Sequence, residues 1–125
     1  MPKIFTSGTQ KIGEIGENEA VKFLIKDGFK ISDRNYTKKW GEIDIIAEKE
    51  GKLYFIEVKS VSHINNYNPE ENMHPWKMKR MARTIQTYLL SKNLDEQEWQ
   101  VDLLVVYLNL ENKTSEIRVV KDIIL

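Results

Sequence analysis

The stretch Gly41-Glu-Ile-Asp-Ile-Ile-Ala-Glu-Lys-Glu-Gly-Lys-Leu-Tyr-Phe-Ile-Glu-Val-Lys59 decides how this chain is read. It contains two strand-like runs, Glu42–Glu48 and Lys52–Ser60, joined through Lys49-Glu-Gly-Lys52. If Lys49 pairs with Lys52 across a two-residue turn, the same register sets Asp44 opposite Glu57 and Glu42 opposite Lys59. Directly opposed residues share a sheet face, with Cβ atoms about 4.5–5.5 Å apart. Alternation along the strand adds Lys59 to the face of Glu57. Two carboxylates and a lysine would therefore meet at one spot. Like charges placed opposite each other destabilise a sheet and raise one another's pKa, a cost that a hard divalent cation offsets. The simpler alternative is an exposed ion pair between Asp44 and Lys59, worth about 0–1 kcal/mol. The neighbours argue against it: Ile43, Ile45, Ile46, Phe55, Ile56 and Val58 mark central strands. Charges there are costly unless coordinated or paired.

The 125 residues predict one domain spanning 1–125, able to bury roughly two-thirds of its unfolded surface. A composition of 41% hydrophobic and 30% charged residues is that of a soluble globular protein. The absence of cysteine excludes disulfides, thiolate zinc sites and a cysteine nucleophile. The longest apolar run, Leu103–Leu108, is too short to span a bilayer, and Met-Pro-Lys-Ile-Phe-Thr-Ser7 lacks the apolar core of a signal peptide, so a cytoplasmic location without a membrane partner is expected. The net charge is zero, so any phosphate-bearing partner must be met by local basic patches. Two are present: Arg34, Lys38 and Lys39 before the Gly41 strand, and Lys77, Lys79, Arg80 and Arg83 further on.

Hydrophobic periodicity predicts a helix over Gln10–Lys26 with Ile12, Ile15, Gly16, Ala20, Phe23 and Leu24 on one face, stopped at Asp27-Gly28. A first strand covers Phe29–Tyr36, and a polar turn spans Arg34–Gly41. After the two central strands, Ser60–Pro75 reads as a polar loop containing Asn65-Asn-Tyr-Asn-Pro69. A second helix, Trp76–Lys92, turns Met78, Met81, Ala82, Ile85, Tyr88 and Leu89 to one side. Strands Gln100–Asn109 and Ser115–Ile123 close the chain. This order predicts an α/β fold, a mixed β-sheet of about five strands flanked by helices.

Glu17 lies at the border of the first helix's apolar face and Glu19 nearer its middle; spacing alone does not choose between them, and Glu14 points away. On the second helix Lys79, Arg80 and Arg83 lie opposite the apolar face and Lys77 at its edge, a stripe that suits phosphates or simply solvent. His63 and His74 have no partner at metal-ligand spacing and read as surface residues. Trp40 offers a ring for base stacking, although packing is the simpler role, and Asp102 reads as a hydrogen-bonded structural carboxylate.

Together these residues resemble a known family. Asp44 followed by Glu57-Val-Lys59, after a helix bearing Gly16-Glu17, resembles the PD-(D/E)XK nuclease superfamily. More narrowly, Gly13-x-x-Gly-Glu17-x-x-Ala20-x-x-Phe-Leu24, Gly28-Phe29, Arg34-Asn35, Gly41-Glu-Ile-Asp44 and Phe55-Ile-Glu-Val-Lys59 resemble the YraN-like family, relatives of archaeal Holliday-junction resolvases. The likeness runs on through Lys77–Leu90 and Val101-Asp-Leu-Leu-Val105. It implies a restriction-endonuclease-like core and metal-dependent hydrolysis of phosphodiester bonds in DNA, including branched or repair-intermediate DNA. It further implies that Glu17, Asp44, Glu57 and the Val58 carbonyl hold Mg²⁺ or Mn²⁺, that Lys59 orients or deprotonates the attacking water, and that the chain forms a homodimer. Oxygen-only ligands suit those ions. Two alternatives stand beside this expectation: a non-catalytic nucleic-acid-binding module, and a dimeric protein-interaction domain retaining the nuclease fold.

Overall fold

A computed structural model describes residues 8–62 and 74–125, so His63 and most of the Ser60–Pro75 loop lie outside the described residues. The elements are α1 (Gly8–Lys26), β1 (Lys30–Lys38), β2 (Gly41–Lys49), β3 (Lys52–Val61), α2 (Pro75–Ser91), β4 (Trp99–Asn109) and β5 (Thr114–Val120). The five strands form one sheet in the order β1-β2-β3-β4-β5. Pairing is antiparallel except between β3 and β4, which run parallel with α2 in the connection between them. A hairpin turn cannot join parallel neighbours, and a crossover helix can. The expected mixed α/β sheet with flanking helices is therefore present.

The β2–β3 turn has the expected length. Lys49 pairs with Lys52, and Glu50 and Gly51 both take positive φ (51° and 79°), the two-residue turn whose twist matches that of the flanking strands. Helix α1 ends in a Schellman motif: Phe29 N–H donates to Leu24 O, Gly28 N–H donates to Ile25 O, and Gly28 sits at φ 93°.

The two helices cover opposite faces of the sheet. Ala20 and Leu24 of α1 pack on Ile45, Ala47, Ile56, Leu104 and Val106. Met81, Ile85, Tyr88 and Leu89 of α2 pack on Ile43, Ile46, Leu53, Phe55 and Val101. Each such large aliphatic side chain contributes about 1.5–3 kcal/mol when fully buried. Two glycines set the interlayer distance. A Cβ on Gly16 would lie 1.7 Å from Ser60 Oγ, and one on Gly41 would lie 2.7 Å from Thr84 Oγ1 and 3.2 Å from the Arg80 carbonyl.

Two expected boundaries differ. Arg34–Lys38 continue β1 against β2, leaving only Lys39 and Trp40 as the turn. Strand β5 ends at Val120 instead of Ile123, and the Ile123 N–H turns back to donate to the Val101 carbonyl (2.7 Å), which lays Ile123 against the core. Both differences arise because polar residues at a sheet edge pair as readily as apolar ones, while apolar residues can be buried outside a strand.

Candidate active site

The β2–β3 ladder runs from Lys49–Lys52 to Ile45–Ile56 and ends there. The expected direct pairs Asp44–Glu57 and Glu42–Lys59 are not part of it, which corrects the simple extension of the register. Strand β2 stays paired with β1 as far as Gly41, so β2 and β3 part at Asp44 while both remain in the sheet. Side-chain direction explains the parting. Ile45 packs on the α1 side and Ile46 on the α2 side, as alternation requires, yet Ile43 also packs on the α2 side. Two residues, not one, therefore separate Ile43 from Ile46 on that face. At the same level of β1, Asn35 adopts a left-handed conformation (φ 52°) between Arg34, which reaches α1, and Tyr36, which joins the α2-side cluster. Both strands turn about their axes at this level, and Asp44 is the residue at the break.

Asp44 closes the opening with its own side chain. Its Oδ2 accepts the Val58 N–H at 2.8 Å, a donor that the ladder no longer reaches. Its carboxyl also meets that of Glu57. Burial, followed by the charge of Glu57 and the hydrogen bond between the two carboxyls, pushes the Asp44 pKa from 3.8 up to about 8, against the lowering effects of the Val58 N–H and Lys77. Burial and the neighbouring carboxylate thus favour the protonated form of Asp44, a cost that a cation would relieve.

Helix α1 brings Glu17 to the same centre. Burial raises its pKa, the Arg34 hydrogen bond opposes this, and the Asp44 charge adds to the rise. Arg34 Nη2 donates to Glu17 Oε1 (3.1 Å) and to Asn18 Oδ1 (2.9 Å). Glu19 is turned elsewhere: it accepts from Ser115 Oγ of β5 (3.2 Å) and pairs with Lys22 (3.4 Å). The choice that spacing left open thus falls on Glu17. From the α2 side, Lys77 Nζ lies 3.4 Å from Glu57 Oε2. Lys59 is partly buried on β3, two residues beyond Glu57 and next to Val105 in the parallel ladder.

The basic residues do not form a single stripe. Lys77 belongs with the carboxylates. Arg80 Nε donates to the Trp40 carbonyl (2.8 Å), and the Arg83 guanidinium lies 4.2 Å from the Trp40 ring centroid, so these two cations clamp the β1–β2 turn onto α2. Trp40 is packed, as the simpler reading expects. Lys79 is exposed on α2, Lys39 is exposed in the turn, and Lys38 lies over the Tyr36 ring (5.2 Å). Asp102 is the structural carboxylate expected: 5% exposed, it accepts from Gln100 Nε2 (2.7 Å) and the Asp122 N–H (3.0 Å). His74 is exposed at the N-cap of α2.

Among the described residues no three acidic or histidine side chains stand close enough to hold a metal as a ready-made set, because Glu17 is drawn to Arg34. The Asp44–Glu57 pair nonetheless fits a hard divalent cation. It offers oxygen donors only, and it carries an electrostatic cost that such an ion would relieve. An open groove lined by Gly41, Glu42, Glu57, Trp76, Lys77, Arg80 and Met81 leads to the pair. Trp76 is the participant the sequence does not mark, and Lys77, expected as a phosphate contact at the helix edge, stands instead beside Glu57. An aromatic residue off the apolar stripe directly after Pro75 was the available signal for Trp76.

No helix among the described residues is long and apolar enough to cross a membrane. The profile of the uncharacterised protein family UPF0102 matches residues 16–106, a span that includes Glu17, Asp44, Glu57 and Lys59. The chain is 44% identical over 94 residues to a UPF0102 protein of Campylobacter jejuni subsp. doylei, covering 75% of this chain and 81% of that one. It is 39% identical over 105 residues to one from Clostridioides difficile (84% and 91%) and 35% identical over 105 residues to one from Caldanaerobacter subterraneus subsp. tengcongensis (84% and 86%). Matches of this length and identity establish that the chain belongs to the uncharacterised protein family UPF0102, the YraN-like group whose motifs it carries.

Proposed function

We propose that this protein is a metal-dependent endonuclease that hydrolyses phosphodiester bonds in DNA. The observation that carries the reading is the meeting of two part-buried carboxyls, Asp44 and Glu57, where β2 and β3 part. A carboxyl pair in a central sheet costs stability and has no packing role. Asp44 and Glu57 would hold Mg²⁺ or Mn²⁺ with the Val58 carbonyl, and Glu17 would join them on exchanging its Arg34 contact for the ion. The ion would supply Lewis-acid activation of water and of the phosphoryl oxygen.

The remaining work falls to side chains. Lys59, two residues along the strand from Glu57, would orient the attacking water and offset negative charge on the phosphate. Lys77 would move from Glu57 to the phosphate once a cation neutralises the carboxylates. Arg34, freed from Glu17, would do the same on the α1 side, while Lys38, Lys39, Lys79, Arg80 and Arg83 would meet phosphates farther along the strand.

The test is cleavage of linear, flapped, single-stranded and four-way-junction DNA with Mg²⁺ or Mn²⁺, comparing wild type with Glu57→Ala and Lys59→Ala. Cleavage lost in both variants, with circular dichroism unchanged, supports the reading. Equal cleavage in all three proteins overturns it.

A second reading, a binding module without turnover, draws on one observation. Arg34 and Lys77 already supply cations to two of the three carboxylates. It predicts salt-dependent DNA binding, weakened by substituting Arg34, Lys39, Arg80 or Arg83, and no cleavage with any divalent ion. The expected homodimer is a further proposal, tested by the mass of the purified protein in solution.

A further inference from the structure

Trp76 is the second residue of α2, behind Pro75, whose fixed φ starts the helix. It is 60% exposed, although a tryptophan is among the most rewarding side chains to bury. A singly exposed aromatic residue on a helix surface is ordinary in itself. The surroundings of this one are not. It lines the same groove as Glu57, with Lys77 and Arg80 beside it and Gly41 and Glu42 on the opposite strand. The His74 ring lies parallel to it, with 5° between the planes and 6.3 Å between the centroids. The Arg80 guanidinium is 5.9 Å from its ring centre, and its Nε is tied to the Trp40 carbonyl. Gly41 lets α2 approach β2 closely, which holds this wall of the groove in place. The result is an indole 60% exposed, with Lys77 and Arg80 beside it and the His74 ring parallel and offset, in the groove that Glu57 lines.

We infer that Trp76 is a stacking platform for an unpaired nucleobase beside the phosphate held at the Asp44–Glu57 site. The inference rests on the proposed nuclease reading for the position of that phosphate. Charge complementarity favours a nucleotide over an apolar peptide: Lys77 and Arg80 suit the phosphates on either side of a base, and the indole suits the base itself. Away from its ends a duplex already stacks both faces of every base, so within a strand only an unpaired nucleotide can lie on Trp76. This makes the substrate class DNA with a single-stranded element at the cleavage point, such as a free strand, a flap or an open junction.

The test measures binding with Ca²⁺ in place of Mg²⁺ or Mn²⁺, so that a hard cation can neutralise the carboxyls and release Lys77. The length of each probe is checked at the end of the titration. The probes are a labelled 20-nucleotide single strand, a duplex carrying a short flap, and a blunt duplex of the same sequence. Trp76→Ala should weaken binding to the single strand and the flap by about tenfold and change blunt-duplex binding by less than about twofold. Trp76→Phe, which keeps a ring, should stay within about threefold of wild type on all probes. Unchanged single-strand binding by Trp76→Ala, an equal loss on blunt duplex, or no single-strand binding by wild type each overturns the proposal. A parallel cleavage assay with Asp44→Asn separates the two readings. A Trp76 effect on binding without Asp44-dependent cleavage removes the nuclease and keeps the platform. Asp44-dependent cleavage of flaps that is indifferent to Trp76→Ala does the reverse.

Discussion

Asp44→Asn should make the metal-free protein more stable at pH 8.5, though it removes a residue at the heart of the site. The Asp44 pKa stands at about 8 in the folded chain against 3.8 ordinarily, so between those values the native state holds a proton that the unfolded chain has released. Stability then falls as pH rises through this window, because the state that binds more protons is favoured by acid. A span of about 4 pH units at about 1.36 kcal/mol each sets a ceiling of about 6 kcal/mol on the fall. Relaxation and water entry reduce such costs, so about 2–3 kcal/mol is expected. The asparagine amide can still accept the Val58 N–H and can donate to Glu57 without needing a proton. Urea unfolding in EDTA at pH 4.5 and pH 8.5 measures both proteins. The wild type should lose about 2–3 kcal/mol more than the variant between the two pH values. Glu17, whose pKa is raised by burial and in part by the Asp44 charge, tilts the wild-type curve more than the variant's, in the same direction as the effect measured. A wild-type curve that is flat or rises, or a variant destabilised equally at both pH values, would refute the account of the carboxyl pair. Saturating Mn²⁺ at pH 8.5 should restore much of the wild-type deficit and leave the variant nearly unmoved.

Three more outcomes follow from the packing and the ion pairs. Gly16→Ala forces a methyl group into Ser60 and should cost about 1–3 kcal/mol, read from the urea midpoint; adding Ser60→Gly should recover most of it, since both atoms in conflict belong to that side chain. Asp102→Ala strands the Gln100 amide and the Asp122 N–H and should cost about 2–3 kcal/mol, with faster amide exchange at Asp122 and Ile123 as the local sign. Arg34→Gln removes the cation that restrains Glu17, so the Glu17 carboxyl should titrate at higher pH still, followed by carbon NMR of its side chain. A Glu17 titration unmoved by Arg34→Gln would show that Arg34 does not restrain it.

Much of the site was legible because its parts follow local rules. The two-residue turn pinned Lys49 to Lys52, and period-2 alternation carried the register correctly to Ile45–Ile56. The apolar stripe of α1 predicted the face that packs on the sheet, and Asp102 declared itself as the lone charge in a buried run. The motif residues from Gly16-Glu17 to Lys59 were recognisable as a YraN-like set, and the family match bears that out. The register does not extend past Ile45–Ile56 to Asp44–Glu57 and Glu42–Lys59, and the cause lies partly in another strand. The left-handed Asn35 and the three-residue step from Ile43 to Ile46 turn β2 away from β3, and a rule that assumes unbroken alternation cannot register that.

By itself, then, the sequence determined the α/β class, the hairpin and the helix faces, since each depends on residues near one another along the chain. Spacing left Glu17 and Glu19 open and only the resemblance chose Glu17; the tertiary structure turns Glu17 toward Asp44 and Glu19 toward Ser115, and it alone decided that Lys77 joins Glu57 across 20 residues of chain. It also decided that Trp76 stands open in the groove. Those choices depend on how α1 and α2 settle on opposite faces of the sheet. Two glycines set those distances, and a rotation of either helix by a single position would bring a different side chain to the site.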